Sequence, residues 1–142
     1  MLYAFAEGAF SSWAVIYLRE AKALPTGVAA ILAQDPNIES FMRRALTINE
    51  QSFGSDHPNV ACALNSLALL LKDTNRLTEA EPLMRRALGI VLDFTRRTGY
   101  EHPHLRIVQG NYATILKGLG RSEADIDAEL RNLRAEFGSR EA

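Results

Sequence analysis

The chain has 142 residues, 47% apolar and 23% charged, which is enough for one compact domain with its own core and too apolar for a disordered segment. Its 16 basic and 17 acidic residues leave a net charge of −1, so no overall field draws it to nucleic acid or to an anionic membrane surface, and neither is expected as a partner. A single cysteine, Cys62, excludes an internal disulfide and suits a reducing, cytoplasmic setting.

Residues 1–34 are rich in alanine, leucine and aromatic residues and predict a helix from about Ala4 to Ala23. A short second helix to Ala33 succeeds the break at Pro25-Thr26-Gly27. The most apolar run, Trp13 to Leu18, is bounded by Ser11-Ser12 and Arg19-Glu20, far short of the roughly 20 apolar residues that a membrane-spanning helix needs. The opening has Glu7 and no basic residue ahead of it, unlike a secretory leader. This region can cap the open end of a helical stack, or be the remnant of a longer array. Its aromatic residues Tyr3, Phe5, Phe10, Trp13 and Tyr17 can also pair two chains, which makes a homodimer through residues 1–34 the alternative assembly.

The next segment carries an internal repeat: Met42-Arg-Arg-Ala-Leu46 returns as Met84-Arg-Arg-Ala-Leu88, a period of 42 residues. Asp35-Pro36 predicts the start of a helix that runs to about Ser52, with Ile38, Phe41, Met42, Ala45, Leu46 and Ile48 on one face. Gly54-Ser55-Asp56 ends it. His57-Pro58 starts a second helix that finishes near Asp73, with Val60, Leu64, Leu67, Ala68 and Leu71 on its stripe. After the turn Thr74-Asn75-Arg76, Thr78 and Glu81 have the spacing of a capping box, and a third helix continues to about Arg97. The second His-Pro pair, His102-Pro103, comes 45 residues after the first, so three residues are inserted between Thr95 and Glu101, as a helical turn or a longer loop. A fourth helix runs from Pro103 to about Leu119 and stops at Gly118-Leu119-Gly120. Ser122 opens the last one, in which Ile126, Leu130, Leu133 and Phe137 share a face. The expected fold is an all-α solenoid of antiparallel helix pairs with about seven helices. Residues 1–35 form an N-terminal segment or cap, residues 36–121 the repeats, and residues 122–142 a C-terminal capping helix and tail.

These residues resemble tetratricopeptide repeats, in particular the 42-residue variety of kinesin light chains. The resemblance covers about residues 36–137 and is strongest from His57-Pro-Asn-Val-Ala-Cys-Ala-Leu-Asn-Ser-Leu-Ala68 through Asn75-Arg-Leu-Thr-Glu-Ala-Glu-Pro-Leu-Met-Arg-Arg-Ala-Leu88. The family's packing positions fall on Leu64, Leu67, Ala68, Leu71, Ala80, Met84 and Ala87. In the following copy Gln109, Tyr112, Ala113 and Leu116 hold the first helix, whereas Ala128 and Arg131 stand at the expected packing positions of the second. The resemblance implies a right-handed stack whose first helices line a concave groove for an extended peptide or a partner helix. The groove-facing positions fall on Cys62, Asn65, Leu69, Lys72 and Asp73, then on Ile107, Gly110, Thr114 and Lys117. Asn65 offers an amide donor and acceptor to a peptide backbone. Lys72 and Lys117, related by the 45-residue shift, either favour an acidic or carboxylate-bearing ligand or are simply solvated.

Other conspicuous residues have structural readings. His57 and His102 each precede a proline at a helix start, where capping or turn formation outweighs metal binding. Arg43-Arg44, Arg85-Arg86 and Arg96-Arg97 have acidic neighbours and read as solvated helix faces. Cys62 has no lysine or histidine adjacent to it in its own helix to lower its thiol pKa. Gly99-Tyr100-Glu101-His102 and Gly118-Leu119-Gly120 lack the strand and helix context of phosphate loops. No catalytic residue, cofactor or metal is therefore expected, and the function expected is that of a non-enzymatic protein-binding scaffold.

Overall fold

The computed structural model describes residues 36–138. It places five helices there and no strand among the described residues: α1 Pro36–Phe53, α2 Pro58–Asp73, α3 Leu77–Thr98, α4 Leu105–Gly118 and α5 Glu123–Gly138. The two helices expected in residues 1–34, and Asp35 as an opening cap, lie outside the described residues. No helix among the described residues is long and apolar enough to cross a membrane.

Local chemistry explains most of the boundaries. His57 caps α2, its Nδ1 accepting the Asn59 N–H at 3.1 Å, and Pro58 occupies the first turn, where a missing donor does no harm. α1 and α3 both run into a glycine with positive φ, Gly54 at 90° and Gly99 at 72°, a conformation that a side chain would strain. Each of these glycines stands three residues before its His-Pro pair, but α4 starts two residues later relative to that pair than α2 does, so the connections span residues 54–57 and 99–104. The three inserted residues lengthen the helix: α3 has 22 residues and α1 has 18.

The capping box expected at Thr78 and Glu81 does not form. α3 begins earlier, with Arg76 at its N-cap and no side-chain cap bond, and Glu81 turns instead to Tyr112. The box appears at α5: Ser122 Oγ accepts the Asp125 N–H at 3.2 Å, and the Asp125 carboxylate accepts from the Ser122 hydroxyl at 2.7 Å and from its backbone N–H at 3.3 Å. These bonds from Ser122 hold the Asp125 carboxyl below its ordinary range.

The core is centred on the pair α2 and α3. Leu64, Leu67, Ala68, Leu71, Ala80, Met84 and Ala87 are all fully buried. In α4 the buried residues Leu105, Val108, Tyr112, Ile115 and Leu116 stand 45 residues after Val60, Ala63, Leu67, Leu70 and Leu71, so the same face is reused. The turn into α5 spans residues 119–122, one more than the turn 74–76, and this moves the packing register. Ile126 and Leu133 are buried and Leu130 half-buried, while Ala128 is half-buried and Arg131 exposed. Ile126, Leu130 and Leu133, expected to share a face, do pack inward; they stand 46 residues after Ala80, Met84 and Ala87, so the packing positions fall on them and not on Ala128 and Arg131. Phe137 closes the end of this contact against Gly89, where an added Cβ would come within 2.8 Å of the ring.

The face expected on α1 is only partly covered. Met42 is buried, but Phe41 is 57% and Ile48 50% exposed, although their repeat counterparts Leu83 and Ile90 are half-buried and buried. The difference comes from neighbours: α3 packs on α2, α4 and α5, whereas among the described residues α1 packs on α2. Leu67→Ala should therefore cost about 2 to 5 kcal/mol in chemical denaturation. Phe41→Ala should cost about 0.5 kcal/mol or less, as a surface substitution does.

Candidate functional site

Helices α2 and α4 are the first members of successive helix pairs, both packed on α3. The residues expected to face a ligand are distributed along them. Asn65 is buried, only 5% exposed, and with Ser66 it is one of two buried polar residues of α2. Its Oδ1 accepts a hydrogen bond from Asn111 Nδ2 of α4 at 2.9 Å, which joins the two helices through a pair of side-chain amides. One of the two acceptor lone pairs of the Asn65 amide is thus used inside the protein. The pair still carries the Asn65 amide donors and the Asn111 carbonyl, one group of each polarity.

Sequence periodicity misses Asn111. The 45-residue shift sends Asn65 to Gly110, which is exposed and has open space where a side chain would be, and the amide that pairs stands one position later. A polar side chain of this type beside buried Tyr112 was the available signal. The other positions are more ordinary. Cys62 is half-buried, and its carbonyl accepts from Ser66 Oγ at 3.0 Å. Leu69 is half-buried against the core. Lys72 lies in the last turn of α2 with its ammonium 3.8 Å from the Asp73 carboxylate, so its charge is partly balanced locally. On α4, Ile107 is 41% exposed, Thr114 donates to the Gly110 carbonyl at 2.9 Å, and Lys117 is exposed in the last turn. There its charge complements the negative end of the helix dipole.

A second polar cluster sits where α3, α4 and α5 meet, around a cleft of about 460 Å³. The ring of Tyr112 is fully buried, and its hydroxyl donates to Glu81 at 2.9 Å, with Glu129 at 3.4 Å. Burial, followed by the hydrogen bond to Glu81, pushes the Tyr112 phenol well above its ordinary range and keeps it a donor. Arg85 approaches Glu129 at 3.9 Å and Glu136 at 3.8 Å. The cluster ties the third helix pair to the second, with charge held in place around one neutral hydroxyl.

Arg43, Arg85 and Arg86 of the repeated motif are engaged with carboxylates, and so is Arg76 in the turn before α3. Arg43 bonds Glu39 at 2.8 Å and Arg86 bonds Glu50 at 2.7 Å, while Arg76 reaches both Glu39 and Glu79 at 2.6 Å. Arg76, and then Arg43, hold the Glu39 carboxyl below its ordinary range. Arg86 and Arg76 thereby connect α3, or the turn before it, to α1.

Residues 27–93, just under half of the chain, match the family model for the tetratricopeptide repeat. The match supports a tetratricopeptide-repeat protein. It spans α1, α2 and most of α3, and such repeats generally mediate protein–protein interaction. No curated protein matches the chain. The third pair, α4 and α5, lies beyond the matched stretch, and its kinship with the repeat rests on the buried positions that α4 shares with α2 after 45 residues.

Two measurements test these contacts. In a double-mutant cycle, Asn65→Ala and Asn111→Ala should be non-additive by about 0.5 to 1.5 kcal/mol, the range of one intramolecular hydrogen bond. In chemical denaturation, Tyr112→Phe should lower stability by about 1.5 to 3 kcal/mol, as expected for a hydrogen bond to a charged group.

Proposed function

We propose that the protein is a non-enzymatic scaffold that binds an extended peptide or a partner helix along α2 and α4. The binding positions are Cys62, Asn65, Leu69, Lys72, Asp73, Ile107, Thr114 and Lys117, and Asn111 joins them. The amide pair Asn65–Asn111 is the observation that carries this reading. Side-chain amides on adjacent helices can pair with a peptide backbone whatever its side chains, as a strand would. Lys72 and Lys117 near the ends of α2 and α4 favour an acidic peptide or a terminal carboxylate, with Asp73 moderating the first. The 42-residue period and the paired His-Pro helix starts favour the kinesin light chain type of repeat. The balanced charge and single cysteine favour a cytoplasmic setting. Within this reading residues 1–35 act as an N-terminal cap and residues 122–142 as a C-terminal one.

One observation favours a second reading. Exposure of Phe41 and Ile48, whose counterparts on α3 are covered, leaves apolar surface on α1, and this suits self-association through that helix and residues 1–34. The two readings separate in one preparation. Light scattering at several concentrations should give a monomer. An array of acidic and neutral peptides should then show binding that falls about tenfold or more in Asn65→Ala, equivalent to roughly 1.4 kcal/mol, and less in Lys72→Ala. A stable dimer that binds no peptide, and that becomes a soluble monomer when Trp13 and Tyr17 are made polar, would establish self-association instead.

A further inference from the structure

The junction between α3 and α4 is built from two imidazoles. His102 Nδ1 accepts the backbone N–H of His104 at 3.2 Å, and the backbone N–H of His102 donates to Thr95 Oγ1 on α3 at 3.1 Å. The His102 carbonyl accepts from Leu105 N–H at 2.9 Å, and the His104 carbonyl accepts from Val108 N–H at 2.9 Å. His102 therefore holds the last turns of α3 with its backbone and orders the first turn of α4 with its ring. That ring lies edge-on to Phe94, with centroids 5.1 Å apart, and its centroid is 5.5 Å from that of His104. His104 occupies the N-cap position of α4 and makes no side-chain cap bond of its own, and the imidazole of His102 holds its backbone N–H.

We propose that His102-Pro103-His104 is an acid-sensitive latch: protonation of the His102 ring breaks its bond to the His104 N–H and loosens the start of α4. The chemistry is a competition for one lone pair. An imidazole Nδ1 that accepts an N–H must be unprotonated, and a proton placed there faces the His104 N–H donor to donor. Charging His102 also places a cation in a half-buried site and beside His104.

Among the described residues, the nearby carboxylates are already paired with arginines. On α3, Asp93 is held by Arg96 at 2.9 Å and by Arg97 at 2.7 Å. In the connection, Glu101 is paired with Arg106 of α4 at 3.1 Å. Burial first, and the charge of His104 second, hold the His102 ring below its ordinary value of 6.5. The sign is then fixed. Between that depressed value and 6.5 the unfolded chain carries more protons than the folded one, so stability is lost as pH falls through this window.

The preceding repeat differs at one position. His57-Pro58-Asn59 uses the same ring-to-backbone bond but has an asparagine where His104 stands, so no second imidazole comes after it. The ring-to-backbone bond is thus common to both junctions, and the second imidazole, His104, distinguishes the one that sets α4. Loss of Ile107, Thr114 and Lys117 from a bound peptide at low pH is a consequence that rests on the groove reading, whereas the latch is read without any ligand.

The test is NMR of the full chain between about pH 8 and about pH 5, which brackets histidine titration. It tracks the ring signals of His102 and the backbone amides of His104, Leu105 and Val108. In the wild type these amides should shift and lose exchange protection with the midpoint of the His102 ring. In His102→Asn the side-chain oxygen can accept the same N–H without titrating, so the amides should stay fixed. His104→Asn, which copies the preceding junction, should keep the bond and move the midpoint upward by removing the neighbouring charge. Amides that stay fixed while the wild-type His102 ring titrates would overturn the proposal. So would movement that persists in His102→Asn, or an unchanged midpoint in His104→Asn.

Discussion

Close contact between α2 and α3 is the constraint on which the remaining structure depends. Ala68, Ala80 and Ala87 are fully buried, and their small side chains let two helices approach until Leu64, Leu67, Leu71 and Met84 lose all contact with water. A helix pair packed this closely is the unit that neighbouring helices can cover. α1 covers one side, while α4 and α5 pack on α3. Each pair contributes apolar surface that it cannot bury alone, so stability accumulates along the stack.

Lengthening of α3 changes how the third pair meets the second. Three added residues turn a helix by roughly 300°, about 60° short of a full turn, so the chain leaves α3 in a rotated direction compared with its exit from α1. His102 and Thr95 fasten that altered exit. The burial pattern of α4 still matches that of α2 after 45 residues, yet the amide that meets Asn65 comes from Asn111 and not from its repeat counterpart Gly110. α5 departs by one further residue, and Gly89 gives Phe137 room to close over α3.

Polar contacts add register more than energy. Each exposed arginine–carboxylate pair contributes on the order of 1 kcal/mol or less. The contacts of Arg76 with Glu39 and Arg86 with Glu50 nevertheless span helices of successive pairs, and the Tyr112 cluster does the same between α3, α4 and α5. Slipping one pair along another would break several of these contacts at once. Such a rigid alignment suits a surface assembled from side chains on two separate helices.

By itself, the sequence determined the five described helices, their order and the buried face of α2 and α3. Helical periodicity, turn residues and a 42-residue repeat are local signals, and local hydrogen bonding makes them legible. The roles of His57 and Ser122 at helix starts were readable for the same reason. Tertiary structure alone decided which polar groups face one another. Glu81 has the spacing for a capping box with Thr78, but Tyr112, 31 residues away, takes its carboxylate. Phe41 and Ile48 have the spacing of core residues, but their burial depends on a neighbour that α3 has and that α1 lacks among the described residues. Asn65 and Asn111 meet across two helices whose connection was lengthened by three residues, and the distance between side chains on separate helices is a property of packing that no repeat arithmetic contains.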